Sequence, residues 1–477
     1  MKRFLILAAA LVLSFEAGAE VVLPDILASN MVLQQQTGVK LWGSARPNAE
    51  VTVRASWGAS ASARSDADGR WETTLQTPAA SHTPCTLSFS DGSGRETVVD
   101  NVLIGEVWLC SGQSNMEMPL DGFWNCPVED ADETIMTSGS RKSVRVATVD
   151  KIGAFKPQET TRVQWNVSSP DAAGRFSAAA FHFACRLNEV LDVPVGVVVC
   201  AWGGSRVEGW LPEETVARYD DIDLAKEFRQ YEDGGWNWLT PVTMYNGMLY
   251  PLRRFAVRGF LWYQGESNVG RHEAYVERLQ TMARQWRSDW ECDELPFYIV
   301  ELAPCIYGGD GTSCARFREA QHHIARVLPH SGIVTTNDLA YPYEENQIHP
   351  CRKREVGQRL AHLALNRTYG VQGAVCDGAV YREMRTEGDS IRLMFDNATD
   401  GFSPWSGIEG FEVAGEDRVF YPAEAVVDTG SRTIVVRSDK VAHPVAARYC
   451  FRDFQPGNLT GRRGLPVAPF RTDDWGW

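Results

Sequence analysis

The chain has 477 residues, a formal charge of −14, 44% hydrophobic and 23% charged residues. It is too long for one ordinary core, so two or three folded domains are expected, with no compositional sign of disorder. An acidic chain of this kind has no electrostatic footprint for nucleic acid or for an anionic membrane, and its charge reads as a solubility feature.

In chain order, Lys2 and Arg3 precede an apolar run over 4–15, and Ala17-Gly18-Ala19 then offers a small-residue cleavage pattern. The run is too short to span a bilayer, so 1–19 reads as a signal for export to the periplasm or the extracellular space. No later segment is long and apolar enough for a membrane span. Residues 20–104 form a β-rich region: short alternating runs such as Val51-Thr52-Val53-Arg54-Ala55 are separated by turn signals at sandwich-like intervals.

From 105 to 370 the texture is that of an α/β domain. Buried strands are expected at 106–110, 195–201, 259–263, 297–302 and 332–336, separated by helices at 178–191, 273–290, 314–327 and 353–365. From 371 to 477 the chain returns to short β runs, and the two β-rich regions are candidates to pack together as one accessory sandwich. Of the 11 cysteines, Cys110 and Cys200 lie in apolar strands and read as buried thiols. Cys292, Cys305, Cys314 and Cys351 lie in polar stretches where pairing is feasible. No C-x-x-C pair exists, so structural zinc is not expected. The 16 tryptophans suit core filling first and platforms for sugar rings second.

Three segments follow buried strands, and the carboxyl ends of strands are where chemistry sits in α/β folds. In Gly112-Gln113-Ser114-Asn115-Met116 a strand-to-helix turn presents the Ser114 hydroxyl as a nucleophile and aims backbone N–H groups at an oxyanion, although a helix-capping serine would look the same. In Trp202-Gly203-Gly204-Ser205 the glycines allow close backbone approach and an oxyanion donor, or simply a tight turn. In Trp262-Tyr263-Gln264-Gly265-Glu266-Ser267-Asn268, polar groups crowd an apolar strand end: Gln264 is a candidate side-chain oxyanion donor, with Glu266 and Asn268 orienting the loop. Among nine histidines, His182, His322 and His323 fall in helices, whereas His349 sits in Ile348-His349-Pro350 ahead of the last helix of the α/β region. It is a candidate base, with a helix-capping loop histidine as the plain alternative.

Together these blocks resemble the sialate O-acetylesterase family of the SGNH hydrolase superfamily: Gly-Gln-Ser-Asn-Met at 112–116, Trp-Gly-Gly-Ser at 202–205, Trp-Tyr-Gln-Gly-Glu-Ser-Asn at 262–268 and Ile-His-Pro at 348–350. The flanks Val-Pro-Val-Gly at 193–196, Glu-Gly-Trp at 208–210 and Val-Gly-Gln-Arg-Leu-Ala at 356–361 fit as well, as does the ending at 464–473. The resemblance implies a three-layer α/β/α SGNH domain with flanking β-rich, sandwich-like accessory regions, and hydrolysis of acetyl esters of sugars without metal or cofactor. Ser114 would attack the acetyl carbonyl and His349 would carry the proton. Backbone N–H of Ser114, one from Gly203–Gly204 and the side chain of Gln264 would hold the oxyanion.

One departure stands out. The superfamily commonly has Asp three residues before the histidine, and here that position is Asn346. An amide cannot stabilise imidazolium as a carboxylate does. Asn346 itself, Glu345, Glu344 or Asp338 are candidates for the third member, and a Ser–His dyad is the alternative. The expected substrate is an O-acetylated sialic acid, with acetylated plant polysaccharide such as xylan as the rival within enzymes. A carbohydrate-binding protein on an inactive esterase scaffold is the rival from another class. Arg206, Arg271 and Arg352 are candidates to meet a sialate carboxylate.

Overall fold

The computed structural model describes residues 21–235 and 237–475; the export signal read at 1–19 lies outside the described residues. Seven strands form the central sheet: β1 (Glu96–Gly112), β2 (Val144–Val149), β3 (Val163–Val167), β4 (Val195–Ala201), β5 (Gly259–Tyr263), β6 (Phe297–Val300) and β7 (Ser331–Val334), in spatial order β7-β6-β5-β1-β4-β2-β3. Neighbours pair in parallel except β3, which closes one edge antiparallel to β2. The strands are apolar on both faces because both faces are covered, as the uninterrupted burial of β4 and β5 shows.

Period-two alternation divides these strands between two cores. Trp108, Cys110, Val197, Val199, Leu261 and Tyr263 face the helices α2 (Ala178–Leu191) and α5 (Lys353–Arg367). Val107, Leu109, Val198, Cys200, Phe260 and Trp262 face α3 (His272–Asp289) and α4 (Ser313–Val327). This is the three-layer α/β/α arrangement, and β4, β5 and α2 occupy the spans read from the sequence. The edge pair β2–β3 was not legible there.

The accessory regions differ from expectation. β1 is a single strand of 17 residues. Its first half pairs with Ser81–Ser90 of the N-terminal region and its second half lies at the centre of the seven-stranded sheet. The expected boundary at 104/105 therefore falls inside a strand, and one hydrophobic core runs from Val21 through Leu109 to Leu328. The C-terminal region instead builds a separate core between two four-stranded sheets, with Ile391, Leu393, Ile434 and Val436 from one packed against Phe411, Val413 and Tyr449 from the other. The two β-rich regions do not form one joint sandwich, because the first has merged its apolar face with the central sheet.

Polar contacts anchor the C-terminal sandwich to the α/β/α layer. Arg318 of α4, fully buried, donates to the carbonyls of Cys450 (3.2 Å) and Arg452 (2.5 Å). The Asp453 carboxylate accepts from backbone N–H of Cys314 (2.7 Å) and Tyr307 (3.1 Å). All 11 cysteines are free thiols. Cys292, Cys305, Cys314 and Cys351 thus do not pair, and the last three are buried within packed segments instead. Cys110 and Cys200 are buried as read, and burial pushes both thiols up.

Candidate active site

β1 ends at Gly112, whose φ of +140° and close approach admit only glycine: a Cβ there would lie 2.1 Å from the carbonyl oxygen of Tyr263. Backbone N–H of Gln113 donates to that same carbonyl at 3.0 Å. The Gln113 side-chain oxygen accepts from backbone N–H of Gly265 (3.1 Å) and Ser267 (3.4 Å). The turn is thereby clamped to the end of β5, and the chain enters α1 (Ser114–Glu117) with Ser114 half-buried at its N-terminus. Among the described residues no group accepts the Ser114 backbone N–H.

The next residue, Asn115, is fully buried and makes the connection that assembles the site. Its Nδ2 donates to Glu266 Oε1 (2.5 Å) and to the carbonyl of Ile348 (2.9 Å). Its Oδ1 accepts from Lys353 Nζ (2.7 Å), which also donates to the carbonyl of Pro350 (2.6 Å). One amide side chain, with the lysine it holds, thus ties the Ser114 turn, the end of β5 and both neighbours of His349. Burial pushes the Lys353 ammonium down to about 8 and raises the Glu266 carboxyl. Each disfavours its own charge there, and each is held by the neutral amide between them.

His349 lies half-buried beneath the Phe123 ring, edge-on at 5.1 Å between centroids. Its Nε2 is buried without a partner among the described residues, and its Nδ1 stands 3.9 Å from Cys126 Sγ. Burial, reinforced by the Lys353 charge, pulls the imidazole down to about 4. It is therefore neutral at physiological pH and able to accept a proton. None of the expected third members touches it. Asn346 and Glu345 are exposed and bond each other at 3.3 Å. Asp338 is held bidentate by Arg359 at 2.6 and 2.7 Å. Glu344 is buried, and its two oxygens cap backbone N–H of Tyr341 and Cys351. His349 meets a thiol where a carboxylate was expected.

The oxyanion candidates divide as well. Gly203 lies directly over Ser114, its would-be Cβ 3.4 Å from Ser114 Cβ. Its N–H, however, already donates to Glu117 Oε2 at 2.6 Å, while Glu117 Oε1 is paired with Lys151. Gly204, at φ +80° against the Trp238 indole, has an N–H that no described residue accepts. Gln264 is fully buried and corrects the expectation for it: its amide donates to the carbonyl of Ser205 (3.1 Å) and to Asn268 Oδ1 (2.8 Å), leaving no hydrogen for an oxyanion. Flipping the amide would set oxygen against two acceptors, so this orientation is fixed. Asn268 in turn donates to Glu208, which is ion-paired with buried Arg278. Gln264 and Asn268 therefore brace the loop, and Glu266 binds Asn115. Asn115, Glu117, Phe123, Cys126 and Lys353 were given no role from sequence. The signals available were an amide beside the nucleophile and a lysine four residues after the histidine, opening a helix.

Residues 104–366 match the family described as carbohydrate esterase, sialic acid-specific acetylesterase. The sialate O-acetylesterase of Homo sapiens is 25% identical over 396 residues, covering 73% of this chain and 71% of that protein. The sialate O-acetylesterase of Mus musculus is 26% identical over 425 residues, 77% of each. Among solved structures, a carbohydrate acetylesterase from Xanthomonas citri has a TM-score of 0.84 at 34% identity, covering 95% of this chain and 100% of that one.

Two outcomes are expected of this geometry. Asn115→Ala strands Lys353 and Glu266 in the interior, so it should cost about 2–4 kcal/mol of stability and lower kcat about a hundredfold. Thermal unfolding and steady-state kinetics measure both, and an unchanged kcat would show that the His349 loop holds itself in place. The acid limb of kcat/KM should fall near pH 4, not near the ordinary histidine value of 6.5. The same lowered group contributes stability that is complete above the unfolded value and lost as pH falls through about 4. Initial rates after brief exposure therefore separate protonation from unfolding, and a midpoint at or above 6.5 would mean that a carboxylate reaches the imidazole.

Proposed function

Because the chain belongs to the sialic acid-specific acetylesterase family of carbohydrate esterases, and is a carbohydrate O-acetylesterase, we propose that it removes O-acetyl groups from sialic acids with Ser114 as nucleophile and His349 as base. The supporting observation is the Asn115 bridge, which holds the residue before His349 against the residue after Ser114, with Nε2 buried and unpartnered on a ring that burial keeps neutral. Ser114 Oγ attacks the acetyl carbonyl carbon as Nε2 takes its proton. The tetrahedral intermediate collapses, the carbon–oxygen bond to the sugar breaks, and the proton passes from Nε2 to the departing sugar oxygen. Water, deprotonated by the same nitrogen, then cleaves the acetyl-serine and releases acetate.

The oxyanion falls to the backbone N–H groups of Ser114 and Gly204, at the N-terminus of α1 and in the facing turn. The His349 imidazolium formed during attack has only the Cys126 thiol at Nδ1, so the machinery is a Ser–His dyad. For substrate, Arg206 supports the sialate reading. It is half-buried two residues beyond Gly204, and its Nε lacks a partner among the described residues. Arg352 is taken by Glu355 and the carbonyl of Asp338, and Arg271 is exposed. The start of the chain supports export, and no described helix is long and apolar enough to cross a membrane.

Ser114→Ala should lower turnover at least about ten-thousandfold while the fold persists, and acetate release from O-acetylated sialic acids should exceed that from acetylated xylan. The reverse preference would reassign the substrate, and a tenth of normal turnover in the variant would remove Ser114 as nucleophile. Glu345→Gln and Asn346→Ala should remain within about threefold of normal, and Cys126→Ala should cost about tenfold or less, against several hundredfold for His349→Ala. Asp338→Asn should lower the unfolding temperature more than kcat, since its carboxylate serves Arg359. A loss at Glu345→Gln or Asp338→Asn as deep as that at His349→Ala would establish a triad.

A further inference from the structure

Residues 123–126 form a tight turn closed by reciprocal backbone hydrogen bonds between Phe123 and Cys126, both 2.9 Å. Both ends of the turn grip the base, Phe123 through its ring and Cys126 through its thiol. Gln347, two residues before His349, donates to the carbonyl of Asn125 at 3.4 Å, and the chain beyond stays alongside the His349 loop through Glu129 N–H to the carbonyl of Cys351 (3.0 Å). The tip of the turn carries Trp124, whose side chain stands 89% exposed. Across the Gln347 contact, the His349 loop carries Tyr343, 77% exposed and held by stacking on Tyr341 at 5.4 Å and 13°. Tyr341 is itself fixed by a hydrogen bond to Glu129.

Large aromatic side chains left in water forgo the burial that usually places them in a core. Among the described residues, only Trp124, Tyr343 and Trp405 are aromatics exposed to this degree, and two of the three sit on the two segments that hold His349. The negative face of an indole or phenol ring attracts polarised C–H groups, and the apolar face of a pyranose presents a row of them. Tight turns closed on themselves keep such a ring oriented without substrate, which limits the ordering cost on binding.

We propose that Trp124, flanked by Tyr343, is a binding platform for a pyranose ring of the glycan next to the residue that bears the acetyl group. This rests on the acetylesterase reading and extends it: the enzyme recognises its substrate as part of an oligosaccharide, on the leaving-group side where His349 delivers the proton. A lone acetylated monosaccharide or an aryl acetate cannot reach the platform and gains nothing from it.

The test compares Trp124→Ala and Trp124→Phe with the wild type on O-acetylated sialyllactose, acetylated xylotriose and 4-nitrophenyl acetate. For whichever oligosaccharide the wild type cleaves, the ratio of its kcat/KM to that for nitrophenyl acetate should fall about tenfold in Trp124→Ala, through KM, and largely recover in Trp124→Phe. Titration calorimetry of Ser114→Ala against Ser114→Ala/Trp124→Ala with the same oligosaccharides reads binding without turnover, and the second variant should bind about tenfold more weakly. A ratio unchanged within twofold, or equal losses on both substrates, would overturn the platform and leave the turn as support for His349. If the wild type cleaves no sugar ester but the calorimetric difference persists, the catalytic reading fails and the platform stands; equal calorimetric affinities overturn the platform whatever the activity.

Discussion

A lysine ammonium removed from water costs several kcal/mol unless it is fully hydrogen-bonded, and Lys353 is completely buried. Asn115 Oδ1 and the Pro350 carbonyl accept from it, while Asn115 Nδ2 donates to Glu266 Oε1 and to the Ile348 carbonyl. None of these groups has a cheap alternative in a dry interior, so the arrangement is close to all-or-none. It joins β1, β5 and the start of α5, which are far apart in sequence, at the carboxyl end of the sheet. The placement of the His349 loop against the turn after β1 follows from it, since the peptide groups on both sides of the histidine are held by this cluster.

The chemistry inherits the same constraint. A base beside a buried ammonium and under an aromatic ring is kept neutral, which suits proton acceptance but offers little to the imidazolium that follows. Hydrolases of this general plan often answer with a carboxylate at Nδ1. Here the carboxylates nearby are otherwise engaged: Asp338 with Arg359, Glu344 with backbone caps, Glu345 at the surface. In the mechanism proposed above, backbone donors at Ser114 and Gly204 would then carry more of the catalytic load. Glu117 occupies the Gly203 donor, and its pairing with Lys151 offsets the negative charge it brings there.

The flanking regions serve the catalytic layer in different ways. The N-terminal strands extend the central sheet through β1 and share its core, so they cannot be removed without cutting the strand that leads into Ser114. The C-terminal sandwich has its own core and meets the hydrolase layer through buried polar contacts of Arg318, Asp453 and Asn337. Arg318 and Asp453 each bond only to backbone there, which fixes orientation without requiring matched apolar surfaces.

Sequence alone determined the features that local physics dictates. Continuous apolar runs between helical periods can only be strands of a sheet covered on both faces, so the α/β/α layer and the spans of β4, β5 and α2 were legible. Gly112 before Ser114 and Pro350 after His349 marked the turns that carry the two residues proposed to react. Tertiary structure alone decided how polar side chains share partners. Whether the Gln264 amide is free depends on Ser205 and Asn268, whether the Gly203 donor is open depends on Glu117, and whether Asp338 reaches His349 depends on Arg359. A side-chain hydrogen bond is settled by competition among groups distant in sequence, and no local pattern records which competitor is nearest. The same holds for the accessory regions: alternating polarity identified them as β-rich, but which apolar face each strand would cover was decided only when β1 ran unbroken from one layer into the other.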